Sequence, residues 1–139
     1  MTASSVPVSS RGRTLALALG AVVAAALATT AAALAALAFG ADPAFGPLQP
    51  PAYLSFAVLG TLAAIGGWVI VVRRARNSAR VLGILVPVLL VLSLVPDVVL
   101  LVTGFIPGAT VAGVVGLMVM HPIVATVAVV AGRMIAPPR

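Results

Sequence analysis

Four apolar runs, separated by short segments rich either in arginine or in proline and glycine, set the terms on which this chain can fold. They cover roughly residues 14–39, 52–72, 81–103 and 109–131. A helix rises about 1.5 Å per residue, so about 20 apolar residues cross the hydrocarbon core of a bilayer. Every run reaches that length. Of the 139 residues, 63% are hydrophobic and 7% charged, whereas about 25% of an ordinary soluble domain is charged. A fold surrounded by water could not cover such a core, so the expected solvent is lipid. The expected fold class is an all-α membrane protein with four transmembrane helices.

The breaks carry helix-stopping residues. Residues 40–51 read GADPAFGPLQPP, 73–80 read RRARNSAR and 104–108 read GFIPG. Proline and glycine punctuate helices because one lacks an N–H and the other adopts backbone angles that side chains disfavour. Arg11 and Arg13 precede the first run as in a secretory leader, but a leader core is about 7–15 residues long. The first run is far longer and is expected to remain as a span. The proline-rich stretch around Asp42 reads as a stiff connector.

Orientation follows from the arginines. Arg11 and Arg13 lie before the first span, Arg73, Arg74, Arg76 and Arg80 between the second and third, and Arg133 and Arg139 after the fourth. The two other connections contain none. Short arginine-rich segments stay in the cytoplasm, so both termini are expected inside and the helices to run up and down, antiparallel, in the cell membrane. The chain then divides into a disordered cytoplasmic N-terminus (1–13), one four-helix transmembrane domain (14–133) and a cytoplasmic tail (134–139). The cluster Arg73, Arg74, Arg76 and Arg80 serves this topology and can meet lipid headgroups. Trp68, Phe39, Tyr53 and Phe105 fall near span ends, where aromatic rings favour the membrane interface.

The chain has no cysteine, glutamate or lysine; its ionic groups are eight arginines, Asp42, Asp97 and His121. Without cysteine there is no disulfide, thiolate metal site or thiol redox chemistry. No metal and no cofactor are expected. A net charge of +6 raises nucleic acid as a partner, but nucleic-acid readers gather basic residues on one groove-sized surface. Here each arginine flanks an apolar span, and no nucleic acid is expected.

Helices in lipid associate through close packing and polar contacts. Small residues spaced four apart mark such faces: Gly60 and Ala64 in the second span, with Gly108, Ala112 and Gly116 in the fourth. They are expected to bring helices of one chain together, with a homo-oligomer seam as the alternative.

An ionisable side chain inside a span is expensive and is by default a functional hypothesis. Asp97 follows Pro96, and His121 precedes Pro122. Each proline frees a carbonyl one turn earlier, Leu92 and Met118 respectively, for which Asp97, His121, Ser93, Thr29, Thr30 and Thr61 are candidate donors. Asp97 and Ser93 share a stripe of the third span, so the intramembrane polar site is expected to comprise Asp97, His121 and Ser93, facing into the bundle. Counting along the helices separates Asp97 from His121 by about 10 Å along the membrane normal.

With the spans placed, the chain resembles a family of small uncharacterised four-span membrane proteins from actinobacteria, through its layout and the pieces LSLVPD at 92–97 and LMVMHP at 117–122. That resemblance implies no activity, ligand or site residue. Small multidrug exporters are similar in size but need an embedded glutamate, and thiol-dependent quinone reductases of similar helix number need cysteines. The expected function is that of a non-enzymatic structural, accessory or interaction subunit, whose partners are the lipid bilayer and a membrane protein or further copies of itself. The alternative is a small transporter or channel subunit using Asp97 and His121 as a proton or ion site.

Overall fold

The structure, a computed structural model, describes residues 10–139. Its α-helices are α1 (Ser10–Ala38), α2 (Pro50–Arg74), α3 (Ser78–Thr103) and α4 (Val111–Ile135), with a one-turn 3-10 helix at Gly46–Leu48. All four α-helices are long and apolar enough to cross a membrane. Each overruns its expected span at the arginine-bearing end. α1 begins at Ser10, so Arg11 and Arg13 are helical and not part of a disordered N-terminus; the remainder of that segment, residues 1–9, lies outside the described residues. Hydropathy marks where a helix enters hydrocarbon, whereas its last hydrogen bonds are set by local capping.

The caps are local and legible. Asn77 accepts from the Arg80 N–H and Thr110 from the Gly113 N–H, each at 3.1 Å, at the starts of α3 and α4. Side-chain oxygens at this position satisfy N–H groups that have no partner in the first helical turn. Pro50 and Pro51 open α2, where the missing N–H costs nothing. Gly104, at φ 60°, ends α3 in the left-handed conformation that glycine adopts without strain.

α4 is the hub, packing against the other three helices. Its contact with α1 is the most extensive. α1 presents a stripe of Ala21, Ala25, Thr29, Ala33 and Ala36, all buried, and Ala36 lies directly on Gly116 of α4. Near the arginine-bearing ends, Gly132 lies flat against the ring of Trp68 on α2. The Trp68 N–H donates to the Ala136 carbonyl at 2.9 Å, and the backbone of Arg139 bonds Ser78 and Ala79 at the start of α3. With the start of α1 beside Met134 and Ile135, the arginine-bearing ends of all four helices meet. At the other end the 40–51 connection folds inward: Phe45 is 0% exposed, stacked against Gly113, and joins Leu48, Tyr53, Leu100 and Val114 in one cluster.

α3 is held differently. Its buried residues are Ser78, Leu82, Asp97 and Leu100, and every residue from Gly83 to Pro96 is exposed or half-buried. α3 touches α2 only sparsely along its length. The two helices are tied at their ends and stand apart in the middle.

Candidate functional site

Between α2 and α3, with α4 as its floor, lies a cleft of about 800 Å³. Gly60, Ala64 and Gly67 form its α2 wall and leucines of α3 the opposite wall. Asp97, His121 and Ser93 all line it, so the structure brings the three intramembrane polar residues to one site.

Asp97 is 8% exposed, and its Oδ2 lies 3.3 Å from Nδ1 of His121. The two side chains are therefore in contact, where counting along the helices gave about 10 Å. Rise per residue fixes only the Cα positions. Side chains lean toward the N-terminus of their own helix, and helices can tilt or bend at prolines such as Pro96 and Pro122 beside these residues. Nδ1 also lies 3.0 Å from the Leu117 carbonyl. A carbonyl can only accept, so that contact is a hydrogen bond with the proton on Nδ1. One N–H cannot point well at two oxygens. Oδ2 accordingly lies against the imidazole yet is buried without a hydrogen bond.

The donors expected for the freed carbonyls go elsewhere. Ser93 Oγ donates to Leu90 at 2.7 Å, and His121 donates to Leu117, so neither reaches Leu92 or Met118. Thr29 and Thr30 donate to Ala25 and Ala26 within α1. Thr61 Oγ1 is buried with no hydrogen-bond partner among the described residues. Backbonding to the previous turn is the nearest partner a helical hydroxyl can reach, and it outcompetes a carbonyl on another helix.

The small-residue positions split. Gly116 makes a tight contact with Ala36 of α1, and Ala112 packs beside the Phe45 cluster. Gly108 lies in the turn before α4, at φ 77°, against the Asp42 carboxylate. Gly60 and Ala64 instead border the cleft, and the nearest atom to a Cβ built on Gly60 is a Val124 methyl at 3.6 Å. Arg73, Arg74, Arg76 and Arg80 are all exposed at the α2–α3 turn. Among the aromatic residues Phe39 and Phe105 are exposed, whereas Tyr53 and Trp68 are buried packing groups. Sequence reasoning missed Phe45 and the Gly132–Trp68 contact. A large apolar residue inside a connection of breakers was the available sign for Phe45.

Four apolar helices enclosing an acid–imidazole pair beside a lateral cleft define a small multi-pass membrane protein. The chain belongs to the family of unknown function DUF6069, whose model matches residues 9–136. No curated protein and no solved structure matches it.

Proposed function

We propose that this protein is a non-enzymatic interaction subunit of the cell membrane that binds a lipid-soluble ligand in the cleft between α2 and α3. The observation that carries this is the cleft itself. Its 800 Å³ falls in the range of about 300–1,000 Å³ typical of ligand sites, which are likewise apolar with a few converging polar groups. Ser93, the hydroxyl nearest the pair in sequence, is committed to its own helix, which supports binding without covalent chemistry.

In this reading the helices run antiparallel with both termini in the cytoplasm. The meeting of all arginine-bearing ends supports that orientation, since arginine-rich segments remain cytoplasmic. The pairings Gly60–Val124 and Trp68–Gly132, together with Ala36–Gly116, support an up-down order in which α2 and α4 share one direction. The arginines of residues 73–80 then meet anionic headgroups on the inner leaflet.

The transport alternative draws on the same pair, because a cavity touching Asp97 and His121 is what a proton or ion carrier needs. Toward the arginine-bearing ends, however, the lining beyond Ser93 is leucine, valine, alanine and glycine until Trp68. A proton path needs successive hydrogen-bonding groups, so the lining favours binding over relay.

Two measurements test this reading. Single cysteines at Ala44 and Pro107 should react with an impermeant maleimide on intact cells, and one at Ala79 only after lysis; the reverse pattern refutes the orientation. Protein purified from its native membrane should carry a small lipid-soluble molecule, detected by mass spectrometry of an organic extract. Ala64→Phe, which fills the cleft, should remove it. An extract of bulk phospholipid alone, or one unchanged by Ala64→Phe, refutes the binding role.

A further inference from the structure

Resting on that reading, we infer that the ligand is a single-chain lipophilic amine, with its ammonium head on Asp97 and its alkyl tail in the slot toward Trp68. The shape of the cleft selects a chain. Its walls run from Ala52 to Trp68 on α2 and from Leu82 to Leu100 on α3, about 25 Å at 1.5 Å per residue. Over that length the cleft is lined by small residues on one side and by leucines and valines on the other, a surface that an extended hydrocarbon chain follows closely.

The chemistry of the head comes from Asp97. Neither of its oxygens accepts a hydrogen bond from the described residues: Oδ2 is sealed against His121, and the other oxygen retains exposure in the side chain that lines the cleft. A carboxylate in hydrocarbon requires donors and a counter-charge. An ammonium supplies both in one group through charge-assisted hydrogen bonds. A hydroxyl supplies one donor and no charge.

The arginines fix the direction. All eight arginines in the sequence belong to the helix ends opposite the Phe45 cluster or to the segments beside them. An ammonium is repelled from that end, and Asp97 lies toward the other. From Asp97 to Leu82 the α3 wall continues for about 22 Å, faced by Gly60, Ala64 and Gly67. Small side chains on one wall and leucines on the other leave a smooth channel for a methylene chain.

The probe is hexadecylamine carrying a photoactivatable diazirine at mid-chain, added to the full-length protein in phosphatidylcholine nanodiscs; adducts are mapped by mass spectrometry. The expected adducts lie on residues 60–67 and 82–90. Excess unlabelled hexadecylamine should reduce them at least tenfold, as should Asp97→Asn, while the matching diazirine alcohol labels at least tenfold less. Competition on the unmodified protein keeps the test valid where Asp97→Asn fails to fold. Equal labelling by amine and alcohol, no competition, or adducts spread over lipid-facing residues such as Leu27 and Val102 overturns the assignment. If the amine fails while Ala64→Phe still empties the native protein of its ligand, the ligand class is wrong and the cleft reading stands. If Ala64→Phe changes neither readout, both fall.

Discussion

Replacing Gly116 with alanine should separate α1 from α4. A Cβ at Gly116 would lie 2.6 Å from the Cβ of Ala36, a distance that two carbons cannot hold. Restoring contact at about 3.5–4.0 Å requires the helices to part by about 1 Å. A radial gap of that size forfeits about a quarter to a half of each neighbouring dispersion contact, and in lipid these contacts are the main cohesive force between helices. Overpacking of this kind costs about 1–3 kcal/mol, offset by up to about 1 kcal/mol from the higher helix propensity of alanine. The expected net loss is about 1–2 kcal/mol. Gly60→Ala is the matched control: its Cβ would meet a Val124 methyl at 3.6 Å, an ordinary contact, so stability should hold or rise slightly. Steric-trap unfolding in bicelles reads both. The decisive arm is the swap Gly116→Ala with Ala36→Gly, which returns the methyl from the other side and should recover at least half of the loss. Equal effects of Gly116→Ala and Gly60→Ala, or no recovery in the swap, would refute the argument.

Other perturbations follow from the same geometry. Gly132→Ala would place its Cβ 2.7 Å from the Trp68 ring and should destabilise by about 1–3 kcal/mol, measurable by the same unfolding assay and by a change in tryptophan fluorescence. Trp68→Phe keeps most of the ring packing but loses the bond to Ala136, with an expected cost of about 1 kcal/mol. Phe45→Ala empties a fully buried position and should cost about 3–5 kcal/mol; proteolysis of the 40–51 connection should accelerate in parallel. Gly108→Ala forces φ 77° on a residue with a side chain and crowds Asp42, and should lower the unfolding free energy by about 1–2 kcal/mol.

The membrane spans were legible because apolar length and arginine placement are properties of single segments. Contacts between segments were less so. Small residues four apart read alike wherever they occur, yet Gly116 marks a tight contact with α1 and Gly60–Ala64 the wall of a gap. The pattern reports that a helix surface is flat, and only the partner decides whether the flatness is filled. α4 fills it with Ala36 of α1, whereas α3 faces α2 with leucines and valines and stays away. Similarly, residue counting gave the levels of Asp97 and His121 along straight, upright helices but not helix tilt, bend or side-chain direction, and the two groups lie 3.3 Å apart. Phe45 escaped because a connection's composition does not show what it will cover.

The way α3 is fastened explains how a cleft persists in a bundle that otherwise packs tightly. One end is pinned by Ser78, whose hydroxyl accepts from the Arg139 N–H at 2.8 Å, and by Leu82; the other by Leu100 within the Phe45 cluster. Between these anchors α3 carries Pro87 and Pro96, each of which removes a backbone hydrogen bond and lets a helix bend. A straight α3 fixed at both ends would lie against α2 along its length, given the three-residue turn that joins them. A helix with two proline joints can bow outward while its ends stay in place. Occupancy of the cleft then needs adjustment only in the middle of α3, with neither anchor broken. Asp97 stands one residue beyond the second joint, where a change in bow alters its approach to His121 most directly. A ligand that engages Asp97 therefore acts on the segment of the fold with the fewest buried contacts, and the tight α1–α4 seam keeps the rest of the bundle fixed while it does so.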